Sequence, residues 1–233
     1  MSQHLQLELA NLKRRLLDIG EAVAATVQKS ATSILDRRPA LAREVIRGDG
    51  KINSGEVEIE QNCLKLLALY QPVAQDLRLI ASVMRINNDL ERMGDEAVNI
   101  AEHAMVLAQS EPLAMPPQMQ LIASSTMSML LGALDSFVKA DAAAARAVCA
   151  ADDEVDDYNR AVIECVWKMV RQNPEVIERA TRVFSVSRHL ERIADHATNI
   201  AEDVVYFVEG VIIRHQSNLH EQPRRVASGP HRF

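Results

Sequence analysis

The sequence reads LERMGDEAVNIAE at residues 90–102 and LERIADHATNIAE at residues 190–202. These two stretches lie 100 residues apart and agree at nine of thirteen positions. In the first, the apolar residues recur at helical spacing and predict one buried stripe, formed by Leu90, Met93, Ala97 and Ile100. A repeated amphipathic helix indicates that the chain is an internal duplication.

The remaining sequence supports two similar helical halves. Apolar residues make up 48% of the chain but aromatic residues only 3%, which favours helices over sheets. One apolar stripe predicts a helix from about Leu5 to Val27, a second helix should span 40–70, and Pro72 should lie in the first turn of a third. After the run SEPLAMPPQ at 110–118, we expect helices over 119–139 and 142–172 and a long helix beyond Pro174.

We therefore predict an all-α protein made of two pseudo-symmetric three-helix bundles. The predicted bundles cover residues 1–111 and 118–213, with a linker at 112–117. Residues 214–233 lack apolar periodicity and are expected to form a mobile tail.

Charge and composition exclude several classes of protein. The net charge of −6 and the scarcity of aromatic residues argue against nucleic acid as a partner. Three cysteines without CxxC spacing predict buried free thiols in a reducing compartment. The N-terminus lacks the pattern of a secretory signal, and the uncharged stretch 112–134 contains three prolines and several polar residues, so we expect a soluble protein without membrane insertion.

Acidic residues share one face of each repeated helix. Glu91 and Asp95 lie one helical turn apart, where two like charges destabilise an isolated helix, and Glu191 and Asp195 repeat the arrangement. A second set of residues with side-chain oxygens precedes each repeat. Asp49 and Asn53 form it in the first half, and Asp152 and Asp156 form it 103 residues later, in the second half. Antiparallel bundles would bring the two sets of each half together.

Carboxylate and amide oxygens suit a divalent or trivalent cation such as Mg²⁺, Mn²⁺ or iron, whereas Zn²⁺ is less favoured without His or Cys ligands. Other interpretations remain open. The acidic face could simply be solvated. The main enzymatic alternative is a carboxylate-bridged metal enzyme on a helical bundle, although no histidine has a Glu three residues before it. An EF-hand at 49–60 is disfavoured by Lys51 at the third loop position. We interpret His189 and His196 as surface residues rather than ligands.

With these motifs in hand, the chain resembles the PhoU family of phosphate-uptake regulators. The resemblance is carried over about residues 5–215 by VIRGDGKIN, QPVAQDLRLI, the two LER phrases, DDEVD and YFVEG. It implies a cytoplasmic, often dimeric protein of two helical bundles that binds metal ions. By position, Glu91, Asp95, Glu191 and Asp195 would be the first ligands, and Asp49, Asn53, Asp152 and Asp156 the second.

The resemblance also implies a function without catalysis. Such proteins are accessories of a phosphate transporter that contact its ATPase subunit and a sensor histidine kinase, and they restrain uptake when phosphate is plentiful. A metal-dependent oxidoreductase or hydrolase and a purely structural dimer are the alternatives. One departure from the family pattern is Ala194, which occupies the position of Gly94 in the first copy. We expect its methyl group to restrict close approach at the second site.

Overall fold

The computed structural model describes residues 3–213, and within this range the regular structure is entirely helical. The first half contains α1 (Gln3–Leu35), α2 (Pro39–Tyr70) and α3 (Ala74–Gln109), which pack against one another. The second half contains α4 (Gln118–Lys139), α5 (Ala142–Ala150), α6 (Asp152–Gln172) and α7 (Ile177–Glu209), with a 3₁₀ turn at Pro174–Val176. The prediction of a duplicated all-α bundle is therefore confirmed.

The apolar stripe of each repeat forms the centre of its bundle. The four predicted residues of the first copy are fully buried, and the second copy buries the matching set: Leu190, Ile193, Ala197 and Ile200. The two copies also share the same pattern of exposed and half-buried neighbouring positions, so the duplication extends from sequence to packing.

The helix boundaries differ from prediction at two places. The predicted helix 142–172 is broken at Ala151, and α6 begins at Asp152. Three acidic residues fill the first turn of α6, where the positive end of the helix dipole favours them. At the other place, α3 begins at Ala74, so Pro72 precedes the helix instead of lying in its first turn.

The two halves join through α3 with α7 and through α1 with α4. The Ser82 hydroxyl, early in α3, donates to the backbone oxygen of Asp203, late in α7, at 3.2 Å. After the end of α3, the backbone oxygen of Glu111 accepts from Arg179, at the start of α7, also at 3.2 Å. The α3 and α7 helices are therefore antiparallel, as expected for copies related by a pseudo-two-fold axis.

Within residues 3–213, one helix, α4, is long and apolar enough to cross a membrane by length and composition alone. Half of its most apolar window is buried inside the bundle, and core helices commonly share this property. The predicted limits of the two halves stay predictions, and the predicted tail lies outside the described residues.

Candidate functional site

The first acidic set forms where α2 packs on α3. The Asn53 amide on α2 donates to Asp49 Oδ2 at 2.9 Å. Burial raises the pKa of Glu91 on α3, and repulsion from Asp95, Glu56 and Asp49 raises it further. Burial likewise raises the pKa of Asp95, with Asp49 adding to the effect. The structure therefore brings the predicted residues of the first half into one electrostatically coupled group.

The second acidic set forms in the same way between α6 and α7. Partial burial raises the pKa of Asp195 to about 6, with added repulsion from Glu191, Asp152 and Asp156. Burial and repulsion from Asp156 also raise the pKa of Asp152. The neighbouring carboxylates thus disfavour the charged forms of Asp152 and Asp195, and a bound cation would relieve that repulsion.

Each set contains a buried oxygen atom without a hydrogen-bond partner, namely Asn53 Oδ1 and Glu191 Oε2. Such atoms are rare in native interiors and are explained when a water or an ion satisfies them. The donor chemistry therefore fits a hard cation. Among residues 3–213, however, no three His, Cys, Asp or Glu side chains are grouped so that they could hold a metal ion as they stand.

A shared cavity lies between α3 and α7, close to the pseudo-two-fold axis. Its volume is about 640 Å³, and its lining includes Glu91 and Asp95 from the first copy and Asp195 from the second. Arg92 and Arg192 line it as well. Each acidic set therefore contributes to this cavity, the first through two carboxylates and the second through one.

His189 and His196 are not surface residues, contrary to the prediction. His189 Nδ1 lies 2.5 Å from Glu96 Oε2, and His196 Nδ1 lies 2.8 Å from Asp89 Oδ1. Both imidazoles are mostly buried between α3 and α7, with 17% and 15% of their side chains exposed. Positions 89 and 96 of the first copy are equivalent to positions 189 and 196 of the second. The first copy has acids at these positions and the second has histidines, so the two pairs join the halves.

Arg192 also donates to Glu96, at 3.1 Å. Burial raises the pKa of Glu96, but the hydrogen bond and charge of His189, together with Arg192, outweigh burial and lower it. Two basic partners on α7 therefore stabilise the charged form of Glu96 at the interface between the halves.

Sequence reasoning missed Glu56, which belongs to the first acidic set. It lies seven residues after Asp49 and therefore on the same face of α2. Its backbone oxygen accepts a hydrogen bond from Asn87 on α3 at 2.9 Å. In the second half the equivalent contact joins Ser187 to Asn159 Oδ1 at 3.0 Å, so this site lacks the extra carboxylate.

The first copy has Gly94 where the second has Ala194, but this difference does not make the second site more crowded than the first. A Cβ atom added at Gly94 would lie 3.4 Å from Ile52 Cδ1, an ordinary contact distance. Ala194 is fully buried in the second half, where its methyl group is accommodated. The expected restriction at Ala194 is therefore not supported.

These features define a class of protein: a duplicated helical bundle whose two halves each carry an acidic set, with a cavity between the halves that residues of both copies line. The family model described as the PhoU domain matches residues 16–104 and 119–204, one match in each half. The chain therefore belongs to the PhoU family.

Individual relatives agree with this assignment. The chain is 39% identical over 209 residues to the phosphate-specific transport system accessory protein PhoU homolog of Aquifex aeolicus (strain VF5), covering 90% of this chain and 95% of that protein. It is 38% identical over 217 residues to the homolog of Pseudomonas aeruginosa, covering 92% and 89% of the two chains.

Solved structures show the same fold. The crystal structure of PhoU from Pseudomonas aeruginosa matches with a TM-score of 0.84 at 35% identity, covering 88% of this chain and 99% of that one. The phosphate transport system regulatory protein PhoU from Streptococcus pneumoniae matches with a TM-score of 0.84 at 32% identity, covering 90% and 99%. The resemblance inferred from sequence motifs is thus confirmed.

Proposed function

We propose that this protein is a cytoplasmic regulator that restrains phosphate uptake and phosphate-starvation signalling by binding, not by turnover. Its partners would be the ATPase subunit of a phosphate transporter and a sensor histidine kinase. The observation that carries the proposal is the match of both halves to the PhoU domain, together with relatives named as transport accessory proteins.

We further propose that each acidic set binds a divalent or trivalent metal ion. Glu91, Asp95, Asp49 and Asn53 would hold it in the first half, and Glu191, Asp195, Asp152 and Asp156 in the second. A bound cation would supply positive charge at a face where burial and mutual repulsion now raise carboxyl pKa values. This role requires no leaving group or nucleophile.

The regulatory role is tested by deleting the gene and measuring phosphatase expression in cells grown with abundant phosphate. We expect expression to rise in the deletion strain and to fall again when the wild-type gene is restored. Unchanged repression would contradict the proposal. Phosphomonoester hydrolysis or oxygen consumption by the purified metal-loaded protein, lost in Glu91→Ala, would favour the enzymatic alternative.

The metal sites are tested separately by elemental analysis and by titration of apoprotein with Mn²⁺. The wild type should bind more Mn²⁺ than the double variant Glu91→Ala, Asp95→Ala, and the corresponding variant at Glu191 and Asp195 should lose the second site alone. A matched control replaces Glu58 and Glu60, which lie outside the predicted ligand sets. Equal and negligible binding by all proteins would exclude both sites.

A further inference from the structure

The turn between α2 and α3 carries an apolar tip, formed by Leu69, Val73 and Leu77. Leu69 lies in the last turn of α2, Val73 directly precedes α3, and Leu77 lies in the first turn of α3. Their exposed fractions are 64%, 76% and 44%. Single exposed apolar residues are common on soluble proteins, whereas several at one turn form a patch that indicates a binding surface.

The ends of two other helices add apolar residues to this end of the molecule. The ring centroids of His4 and Tyr70 are 6.1 Å apart, so the start of α1 lies beside the end of α2. A Cβ atom added at Gly210, directly after α7, would lie 3.6 Å from Arg78 Cζ, so α7 ends beside the start of α3. Further exposed apolar residues lie near these points, namely Leu7, Val211 and Ile212.

A basic groove adjoins the apolar tip. It lies between α1 and α2, has a volume of about 360 Å³, and is lined by Arg14, Arg15 and Lys65 among others. All three side chains are exposed. Leu69 lines the groove as well, so the basic groove and the apolar tip form one continuous surface.

The cations of the basic groove are largely free to bind an anion. Arg15 Nη1 lies 3.5 Å from Glu58 Oε2 in an exposed ion pair, which contributes little. Arg14 donates to Asn11 on its own helix at 3.1 Å. Within residues 3–213, neither Arg14 nor Lys65 forms an ion pair. Arginine in particular binds phosphate groups through two parallel hydrogen bonds.

Charge distinguishes this end from the corresponding end of the second half. Residues 3–15 and 64–78 contain five lysine or arginine residues but only two acidic ones, Glu8 and Asp76. Residues 164–178 contain two basic and three acidic residues, although Trp167 and Ile177 are exposed there. The second half also begins its first helix at Gln118, so it has no helical counterpart of residues 3–15.

Exposed apolar side chains beside unpaired cations are the composition of a surface that binds an anionic bilayer. The net charge of −6 does not oppose such binding, because the acidic sets are distant from this end. Glu91 lies about 25 Å along α3 from Ala74, at a rise of 1.5 Å per residue. That distance exceeds two Debye lengths, since one is about 10 Å in 0.1 M salt.

We propose that this end of the first half docks on the surface of an anionic lipid bilayer. The apolar tip enters the headgroup region, and the basic groove binds lipid phosphates. Docking of this kind needs no helix to cross the bilayer. The surface is separate from the acidic sets and from the cavity between α3 and α7, so the proposal depends neither on metal binding nor on the regulatory role.

The first test is flotation of the purified full chain with lipid vesicles. We expect the wild type to float with vesicles of phosphatidylglycerol and phosphatidylcholine in equal parts. Binding to pure phosphatidylcholine should be at least about 10-fold weaker, because those vesicles lack net negative charge. Failure of the wild type to float with the anionic vesicles, or equal binding to both kinds, would overturn the proposal.

Variants of the apolar tip test its insertion. The double variant Leu69→Gln, Val73→Ser should bind the anionic vesicles about 10- to 100-fold more weakly, since each inserted apolar side chain contributes up to about tenfold. Trp167→Gln, Ile177→Ser is the matched control, because it removes two exposed apolar side chains from the other end. Circular dichroism melting checks that both variants fold. A loss of binding in the control alone would overturn the proposal.

Variants of the basic groove test its contact with phosphate. Arg14→Gln, Lys65→Gln should weaken binding about 10- to 30-fold and make it less sensitive to NaCl, because two cations no longer meet the anionic surface. Arg38→Gln, Arg43→Gln makes the same change of charge at the opposite end of α2 and should bind as the wild type does. Equal losses in both variants would mean that no particular end docks.

Trp167 reports the orientation of the docked protein. It is the only tryptophan of the chain, and it lies at the far end of the antiparallel helices α3 and α7. The 36 residues of α3 span about 54 Å at 1.5 Å per residue. Vesicles that contain brominated lipid should therefore bind the protein without quenching its fluorescence. Quenching would overturn the proposed orientation. Repression of phosphatase expression is measured separately, so failure of docking and failure of the regulatory role remain distinguishable.

Discussion

Asp195 carries the largest electrostatic cost in the acidic sets. Its ordinary pKa of 3.8 is raised to about 6, first by burial and then by Glu191, Asp152 and Asp156. Because the folded protein holds this proton more tightly than the unfolded chain, the stability that the group contributes at low pH is lost as pH rises from about 4 to about 6. At pH 7 the charged carboxylate therefore destabilises the metal-free fold.

Replacing Asp195 with Asn should stabilise the metal-free protein at neutral pH. We expect the free energy of unfolding to rise by about 1 kcal/mol at pH 7 and to change little at pH 4. The gain at pH 7 is smaller than the full pKa shift would give, because solvent screens this partly exposed side chain. Urea denaturation in the presence of a chelator at both pH values measures the difference. Asp36→Asn, in the connection between α1 and α2, is the control. A loss of stability at pH 7 would show that the charged form is favourable.

Gly94 and Ala194 allow a second test at the residue scale. Gly94→Ala adds a methyl group in ordinary contact with Ile52 and relieves the helix cost of glycine, so we expect a gain of about 0.5–1 kcal/mol in the free energy of unfolding. Ala194→Gly should lose a similar amount or more, because that methyl is fully buried. Thermal melting of both variants measures these changes. A loss in Gly94→Ala would mean that the two bundles pack differently from each other here.

At the scale of helices, α3 and α7 meet through complementary polar pairs rather than through apolar contact alone. Glu96 contacts His189 and Arg192, while Asp89 contacts His196. Both acids lie on α3 and both imidazoles on α7. The two halves therefore carry opposite partners at equivalent positions of the repeat. Two identical first halves would place acids opposite acids, which disfavours pairing of like halves.

Glu96→Gln should weaken this interface. The substitution keeps the shape but removes the charge that faces His189 and Arg192, so we expect a loss of about 1–2 kcal/mol in the free energy of unfolding. Glu102→Gln on the same helix is the matched control, because it removes the same charge from an exposed position. Chemical denaturation at pH 6 compares the two variants. Equal stability of both would mean that the network contributes little.

Periodicity within a helix and repetition along the chain were sufficient to predict the bundles and the two-residue acidic pairs. The break at Ala151 was missed because residues 142–151 contain neither Pro nor Gly, although the acidic run at 152–154 is itself a signal for a helix start. The contacts of His189 and His196 were missed for a different reason. They depend on how α3 packs against α7, which local spacing does not determine.

For the whole molecule, the duplication explains why acidic residues of both copies line one cavity. The antiparallel α3 and α7 helices place the middle of each LER phrase beside the other, so Asp95 and Asp195 line the same space. The sites are nevertheless unequal. Asp152 lies in the first turn of α6, whereas Asp49 lies within α2, so only the second set is near a helix N-terminus that favours negative charge.

The contact between α1 and α4 holds the two halves together on another side, and Gly20 lies at this contact. A Cβ atom at Gly20 would lie 2.8 Å from Leu134 Cδ2, too close for Leu134 to keep its position. By contrast, a Cβ atom at Gly50 on α2 would have no neighbour within 4 Å. The two glycines thus differ in packing while both lie inside helices.

Gly50→Ala should raise the free energy of unfolding by about 0.5–1 kcal/mol through helix propensity alone. Gly20→Ala should be less stable than Gly50→Ala by about 1–2 kcal/mol, because the gain in propensity is opposed by overpacking between the halves. Urea denaturation of the two variants beside wild type measures the difference under identical conditions. If Gly20→Ala gained as much as Gly50→Ala, the halves would not be packed closely at α1 and α4, and their association would rest mainly on the contact between α3 and α7.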